Sequence, residues 1–317
     1  MNTDLSTEAT DYGREVVRAL EAAGGDDLTL AVENDPDRRR TTVAPLLGEL
    51  GAWDLDPRGN ADELEASAAL CRSVGYWAVP YPVAERLARP TDLDVDGLLV
   101  VADSDPKAPV GCLDLRWAAV SLDGRRSIAV ARPPSTPPRT SAFVAQLDLQ
   151  PVDDNGASDL ALALTLPCWT LLGMLDRAMA LTRSHVLLRE QFGAPLATLQ
   201  GVQFQLTEAE VERTGLDVLA KYTLWSIQAG NAEALDDALA LRLAAVEAAQ
   251  TVFRVAHQLH GASGFCDETT LSWISRYSLP IRRIPWGPSG TLDALTRRIG
   301  RRGLTGLFGD SHEKAMR

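Results

Sequence analysis

One twelve-residue stretch, Arg189-Glu190-Gln191-Phe192-Gly193-Ala194-Pro195-Leu196-Ala197-Thr198-Leu199-Gln200, concentrates groups that could do chemistry. It places a permanent cation, an aromatic ring and two amides around a short Gly-Pro loop. The arginine fork matches the oxygens of a pyrophosphate or a carboxylate, and it does not deprotonate. A second stretch, Gln258-Leu259-His260-Gly261-Ala262-Ser263-Gly264-Phe265, follows about seventy residues later. Its glycines let a backbone approach an anionic ligand closely, and Gln258 can donate to or accept from a nucleoside. Each stretch alone also reads as something plainer: a helix connection with a surface arginine, and a glycine that ends a helix.

Long helices must position both stretches. Apolar periodicity predicts helices over Leu160 to Leu188, Leu199 to Ile227 and Ala232 to His260, with shorter ones over Leu271 to Tyr277 and Leu292 to Ile299. Short connections between them imply an antiparallel four-helix bundle. Before the bundle the period changes. Leu98 to Ala102 is a short apolar run, Trp117 to Ala131 alternates around a tight-turn Asp123-Gly124, and Ala142 to Leu149 follows the Pro-rich Pro133 to Pro138. This reads as a small antiparallel β unit.

The first ninety residues read as helical again. Asp11 to Ala23 presents Val16, Val17 and Leu20 on one face and ends at Gly24-Gly25. Thr42 to Leu50 forms a second helix. Asn60-Ala61-Asp62-Glu63 is a capping box for a third, interrupted at Pro80 and Pro82 before Val83 to Leu87. The expected division is 1–92 helical, 93–152 β and 153–317 helical bundle: an α+β chain, mainly α.

Composition excludes several classes. The chain has 317 residues, 45% of them hydrophobic, so a large core is expected. A net charge of −12 argues against a nucleic-acid partner. Cys71, Cys112, Cys168 and Cys266 are scattered without CxxC spacing, so neither a disulfide framework nor a metal site is expected. No apolar run is expected to span a membrane, and the start Met1-Asn2-Thr3-Asp4 lacks a basic and an apolar leader segment. The expected compartment is the cytoplasm.

Arg-x-x-Phe-Gly-x-Pro with a following Gln, then Gln-x-x-Gly-Ala-x-Gly-Phe after a helix–β–helix layout, resembles the acyl-CoA dehydrogenases. The segments Leu46-Leu47-Gly48-Glu49-Leu50-Gly51-Ala52-Trp53 and Gly75-Tyr76-Trp77-Ala78-Val79-Pro80 resemble that family's N-terminal helices. The resemblance is clear over the last 160 residues and weak in the β unit. It implies a flavin dinucleotide, FAD, with Arg189 at the pyrophosphate and Phe192, Leu196 and Gln200 along the same face. It further implies that Gln258, Leu259, Gly261 and Ala262 lie at the adenosine half. Ala262 departs from the family's second glycine.

Other departures matter more. The family's proton-abstracting Glu lies in an aromatic-Glu-Gly-Thr segment. Aligned on Gly290-Thr291, Ile284-Pro285-Trp286-Gly287-Pro288-Ser289-Gly290-Thr291 puts Ser289 at that position. A serine without a partner to take its own proton is no base at neutral pH. Members that carry the base on the first bundle helix would have it near Leu164, where Asp159 and Asp176 are the nearest acids. The Thr-Glu-Pro loop and Trp-Ile-Thr/Ser strand that wall the flavin are also missing; Trp117-Ala118-Ala119 is a poor substitute.

In that family the flavin is shared across a subunit interface, with the two retained motifs gripping a neighbour's cofactor. The resemblance therefore implies the degenerate subunit of a heteromeric α₂β₂ dehydrogenase, of the kind that acts on steroid side-chain CoA esters. It would pair with a more complete subunit and pass electrons to an electron-transfer flavoprotein or similar acceptor. Two other readings stand beside it. One is an autonomous acyl-CoA enzyme of non-redox type (hydration or elimination) using Asp159 or His260. The other is a structural dimerisation subunit without flavin.

Overall fold

A computed structural model describes residues 3–132 and 142–303, so the Pro-rich stretch expected as a linker lies outside the described residues. Six N-terminal segments build the first helical layer: α1 (Thr7–Ala22), α2 (Asp26–Asn34), a π-turn at Arg39–Val43, α3 (Ala44–Glu49), α4 (Ala61–Tyr76) and α5 (Val83–Leu87). Ser6 caps α1 by accepting from the Ala9 N–H, leaving Val16 and Leu20 fully buried on the inner face. Asn60 caps α4 through the Glu63 N–H, and its own amide donates to Glu63 Oε1 at 2.8 Å. The other Glu63 oxygen accepts from the Asp56 N–H, so the capping box ties in the preceding loop as well.

The β unit has five strands: β1 (Gly97–Val100), β2 (Lys107–Ala108), β3 (Trp117–Val120), β4 (Arg126–Ala131) and β5 (Ala145–Asp153). Their order is β1-β3-β4-β5-β2. Asp123-Gly124 turns β3 into β4, with Gly124 at φ 89°. All pairs are antiparallel except β1 with β3, which run parallel. The exception follows from connectivity: the chain between them leaves the sheet to form β2 at the opposite edge before returning beside β1.

The bundle comprises α6 (Leu160–Leu188), α7 (Gln200–Gln228), α8 (Ala234–His260), α9 (Thr270–Tyr277), α10 (Leu279–Arg283) and α11 (Pro288–Arg302). A two-stranded ribbon, β6 (Glu190–Gln191) with β7 (Ala194–Pro195), joins α6 to α7. Helix α6 is the axis, packed by α4, α7 and α8 together, and the N-terminal helices share one hydrophobic core with the bundle. Contrary to the sequence expectation, the stretch Gly156–Leu188 is long and apolar enough to cross a membrane. It is instead a core helix, with 78% of its most apolar window buried against its neighbours.

Two glycines permit the tightest contact. A Cβ on Gly75 of α4 would sit 1.9 Å from the Thr170 carbonyl oxygen, and one on Gly173 of α6 would sit 1.9 Å from that of Arg72. The backbones of α4 and α6 touch there, and only hydrogen fits between them. Arg72 bonds Asp176 at 2.7 Å beside the crossing. At the sheet end, buried Arg126 bridges Asp92 and Asp153 and lies 3.7 Å from Asp159, which ties the start of α6 to the β unit.

Candidate functional site

Helix α6 ends at Leu188, and Arg189 leaves it with extended backbone while its N–H still bonds the His185 carbonyl at 2.8 Å. The Leu196 N–H returns to the Arg189 carbonyl at 2.8 Å, so the arginine backbone is held from both sides of the ribbon. The turn between the strands is Phe192-Gly193, at φ 55° and 80°. Two left-handed residues in a two-residue loop make the mirror-image turn that matches strand twist. Such a position favours Asn or Gly, and a phenylalanine there is strained. The strain has no intramolecular return, because the Phe192 ring is 91% exposed.

Arg189 is also exposed, and its guanidinium has no ion-pair partner among the described residues. Helix α7 begins right after the ribbon. Its cap residue is Leu199, with no side-chain cap and no acid in the first turn; the Val202 and Gln203 N–H groups bond the Leu199 carbonyl, and those of Gln200 and Gly201 lie open. An unpaired cation, a bare ring and an uncapped helix N-terminus on one loop suit an anionic ligand that also offers an apolar or aromatic face.

The second motif lies at the same end of the bundle. Helix α8 stops at His260 because Gly261 turns left-handed, φ 62°, with nothing within 4 Å of its Cβ position. Gln258, Gly261 and Ala262 are exposed and Leu259 is half-buried. The methyl group of Ala262 therefore meets no obstacle within the chain. What brings the motifs together is a pair of rings: His185 and His260 stack with centroids 4.3 Å apart and planes 22° from parallel. His260 Nδ1 is 2.8 Å from the Ala256 carbonyl. Burial holds both imidazoles below their usual pKa, and Arg189 adds to this at His185. Sequence inspection did not single out His185, although it lies one helical turn before Arg189. One turn back on α8, His257 stacks on Phe265 at 4.3 Å and holds the end of the second motif against its own helix.

The acids proposed as substitute bases are all engaged. Asp159 is buried between Arg58 at 3.0 Å and Arg126 at 3.7 Å, and burial raises its pKa against those cations. Asp176 is shared by Arg72 and Arg213. Ser289 lies exposed in the first turn of α11, and its hydroxyl bonds no side chain among the described residues. A cleft of about 660 Å³ opens beside it, between α11, the ends of β1 and β3 and the starts of α6 and α8. Its carboxylates are neutralised in place: Asp103 and Asp123 by Arg125, and Asp293 by Arg297.

The interior next to Leu164 is nearly full. Two cavities of about 50 Å³ each lie between α5, α6, α10 and the sheet, and both are lined by Glu85, Pro109, Pro167, Pro280 and Ile281. Each holds a water or two and no acyl chain. Burial pushes the Glu85 carboxyl up, a group the sequence did not mark because one acid on a short helix has no distinguishing neighbours. Above this space Arg39 is almost wholly buried. It donates to the Pro80, Gly111 and Pro109 carbonyls and stacks over Phe143. Arg242 likewise clamps the segment leading to Ser289 by donating to the Ile281, Ile284 and Trp286 carbonyls.

The acyl-CoA dehydrogenase C-terminal domain family matches residues 164–304, which contain both motifs. Over 128 residues the chain is 33% identical to the acyl-CoA dehydrogenase FadE28 of Mycobacterium tuberculosis, covering 40% of this chain and 37% of that protein. The aligned segment thus spans little over a third of that relative's length. Two solved structures have nearly the whole architecture. One is a variant of the Tcur3481-Tcur3483 steroid ACAD (TM-score 0.76, 19% identity, covering 93% of this chain and 98% of that one). The other is the ChsE4-ChsE5 complex of Mycobacterium tuberculosis (TM-score 0.72, 16% identity, 95% and 98%). Residues 164–304 thus match the acyl-CoA dehydrogenase C-terminal domain, and the described residues as a whole share the fold of these solved structures.

Proposed function

We propose that this chain is the non-catalytic subunit of an FAD-dependent acyl-CoA dehydrogenase, and that it completes the flavin site of an unlike partner. The reaction of the pair is α,β-dehydrogenation of an acyl-CoA thioester to the trans-2-enoyl-CoA. A steroid side-chain ester is the substrate class suggested by the two structures resembled, whose names denote a steroid ACAD and a two-component complex. Bound FAD supplies the hydride acceptor; the partner supplies the base. Electrons then leave to an electron-transfer flavoprotein or a similar acceptor.

The observation that carries this reading is the outward orientation of everything that could hold the cofactor. Arg189, Phe192, Gln200, Gln258, Gly261 and Ala262 all face away from the chain's own interior. Arg189 would neutralise the pyrophosphate, helped by the open N–H groups of α7. Phe192 and Leu196 would cover the apolar flank, with Gln258, Leu259 and the Gly261 turn at the adenosine half. The substrate side supports the same conclusion from the opposite direction. Among the described residues Ser289 has no proton acceptor, and the two small cavities on either side of Pro167 are too small for a thioester chain.

The test is purification of the chain alone and again with the product of a neighbouring dehydrogenase gene, measuring bound flavin per chain. Flavin only in the co-purified sample is expected. One flavin per chain in the lone protein would overturn the reading.

A further inference from the structure

Arg39 and Arg242 are both almost wholly buried, at 1% and 2% exposure, but their hydrogen bonding differs. Every side-chain nitrogen of Arg39 donates to a carbonyl: Nε to Pro80, Nη1 to Gly111 and Nη2 to Pro109. Arg242 places Nη1 on the Ile281 carbonyl at 3.0 Å and Nη2 on those of Ile284 and Trp286 at 2.7 and 2.8 Å. Its Nε is left without a partner.

Arg242 also lacks a counter-charge, forming no ion pair among the described residues. The titratable group that acts on it is the Cys168 thiol, which burial pushes up to about 12, so it is uncharged at neutral pH. Burial pulls the guanidinium itself below its usual pKa, as expected of a cation without compensation. Carbonyl dipoles solvate such a cation without cancelling its charge, and an uncompensated buried charge is costly.

The same guanidinium walls one of the cavities of about 50 Å³, together with Leu98, Leu99, Leu164, Glu85 and Lys107. A water there would satisfy Nε and leave the charge as it is. An ion of similar size would do both. Glu85 is no obstacle, because burial favours its protonated form, which donates a hydrogen bond to an anion.

We propose that this cavity is a site for one small monovalent anion, of chloride size, held by Arg242 Nε. The site lies within this chain and goes beyond the shared-flavin reading. Its ion neutralises the arginine that anchors Ile281, Ile284 and Trp286, the segment leading to Ser289.

The test is urea unfolding of the full chain at fixed ionic strength, with chloride replacing gluconate, which is far too large for the cavity. The unfolding equilibrium constant should fall tenfold for each tenfold rise in chloride above its dissociation constant, the slope of one site. Ala163→Asp puts a carboxylate in the cavity wall and should abolish that slope, since Arg242 then has a counter-charge within the chain. Glu85→Gln should keep it. A flat wild-type response, or a slope that persists in Ala163→Asp, overturns the inference. So does a slope that appears only in Glu85→Gln, which would make Glu85 the counter-charge. Should Ala163→Asp fail to fold, chloride-35 NMR of the unsubstituted chain decides. Excess line width that saturates with chloride and vanishes in urea is expected; no excess width overturns the site.

Discussion

The α4–α6 crossing and the outer face of α7 use the same residue for opposite purposes. At the crossing, Gly75 and Gly173 are silent about function: each is required because a backbone carbonyl of the facing helix occupies the space of a side chain. On α7, Gly215 weakens the helix interior and receives no contact in return. A glycine satisfied inside the chain reports packing, and one left unsatisfied reports what is outside. The same contrast separates the buried Arg39 and Arg242, each caged by backbone carbonyls, from Arg189, whose backbone is fixed and whose charge is left open.

The largest effect should come from breaking the packed side of this contrast. Gly173→Ala forces a methyl group onto the Arg72 carbonyl, so a loss of about 3 kcal/mol or more is expected in urea unfolding, or failure to fold. Next is the open cation. Arg189→Ala should weaken flavin retention by the complex about 10- to 100-fold, the equivalent of one charge-assisted bond of roughly 1.5–3 kcal/mol, with the fold unaffected. Flavin titration checks it. Third, Gly215→Ala should raise the stability of the lone chain by about 0.5–1 kcal/mol, a gain that distinguishes an unsatisfied glycine from a packed one.

A smaller effect concerns pH. His185 and His260 have folded-state pKa values below 6.5, so below that pH the unfolded chain binds more protons than the folded one. Stability contributed by the stack is therefore fully present above about pH 6.5 and declines as pH falls through the folded values. Thermal midpoints measured from pH 8 to 5 should show this decline, and His185→Phe should flatten it. Smallest of all, Ser289→Ala should leave the activity of the complex within error, which steady-state turnover would verify.

Much of the fold was legible because its signals are local. The Asn60 cap, the Asp123-Gly124 turn and the apolar periodicity of α6, α7 and α8 each act within a few residues, and their predicted limits agree closely with those observed. The parallel β1–β3 pair was not legible, since strand direction depends on where a connection runs. The apolarity of α6 misled in the other direction: a helix covered on every side carries the same composition as one surrounded by lipid.

For the site, the residue types alone determined that Arg189 is charged at any pH, that Ser289 is no base, and that Gly261 can turn left-handed. Those are properties of single side chains and single backbones, and no fold alters them. Tertiary structure decided what those residues face. It stacked His185 on His260, which set two motifs about seventy residues apart at one end of the bundle. It tied Asp159 and Asp176 into ion pairs and filled the space beside Leu164. The reason is that charge and conformational freedom belong to a residue, whereas burial and neighbourhood belong to the packing of helices distant in sequence.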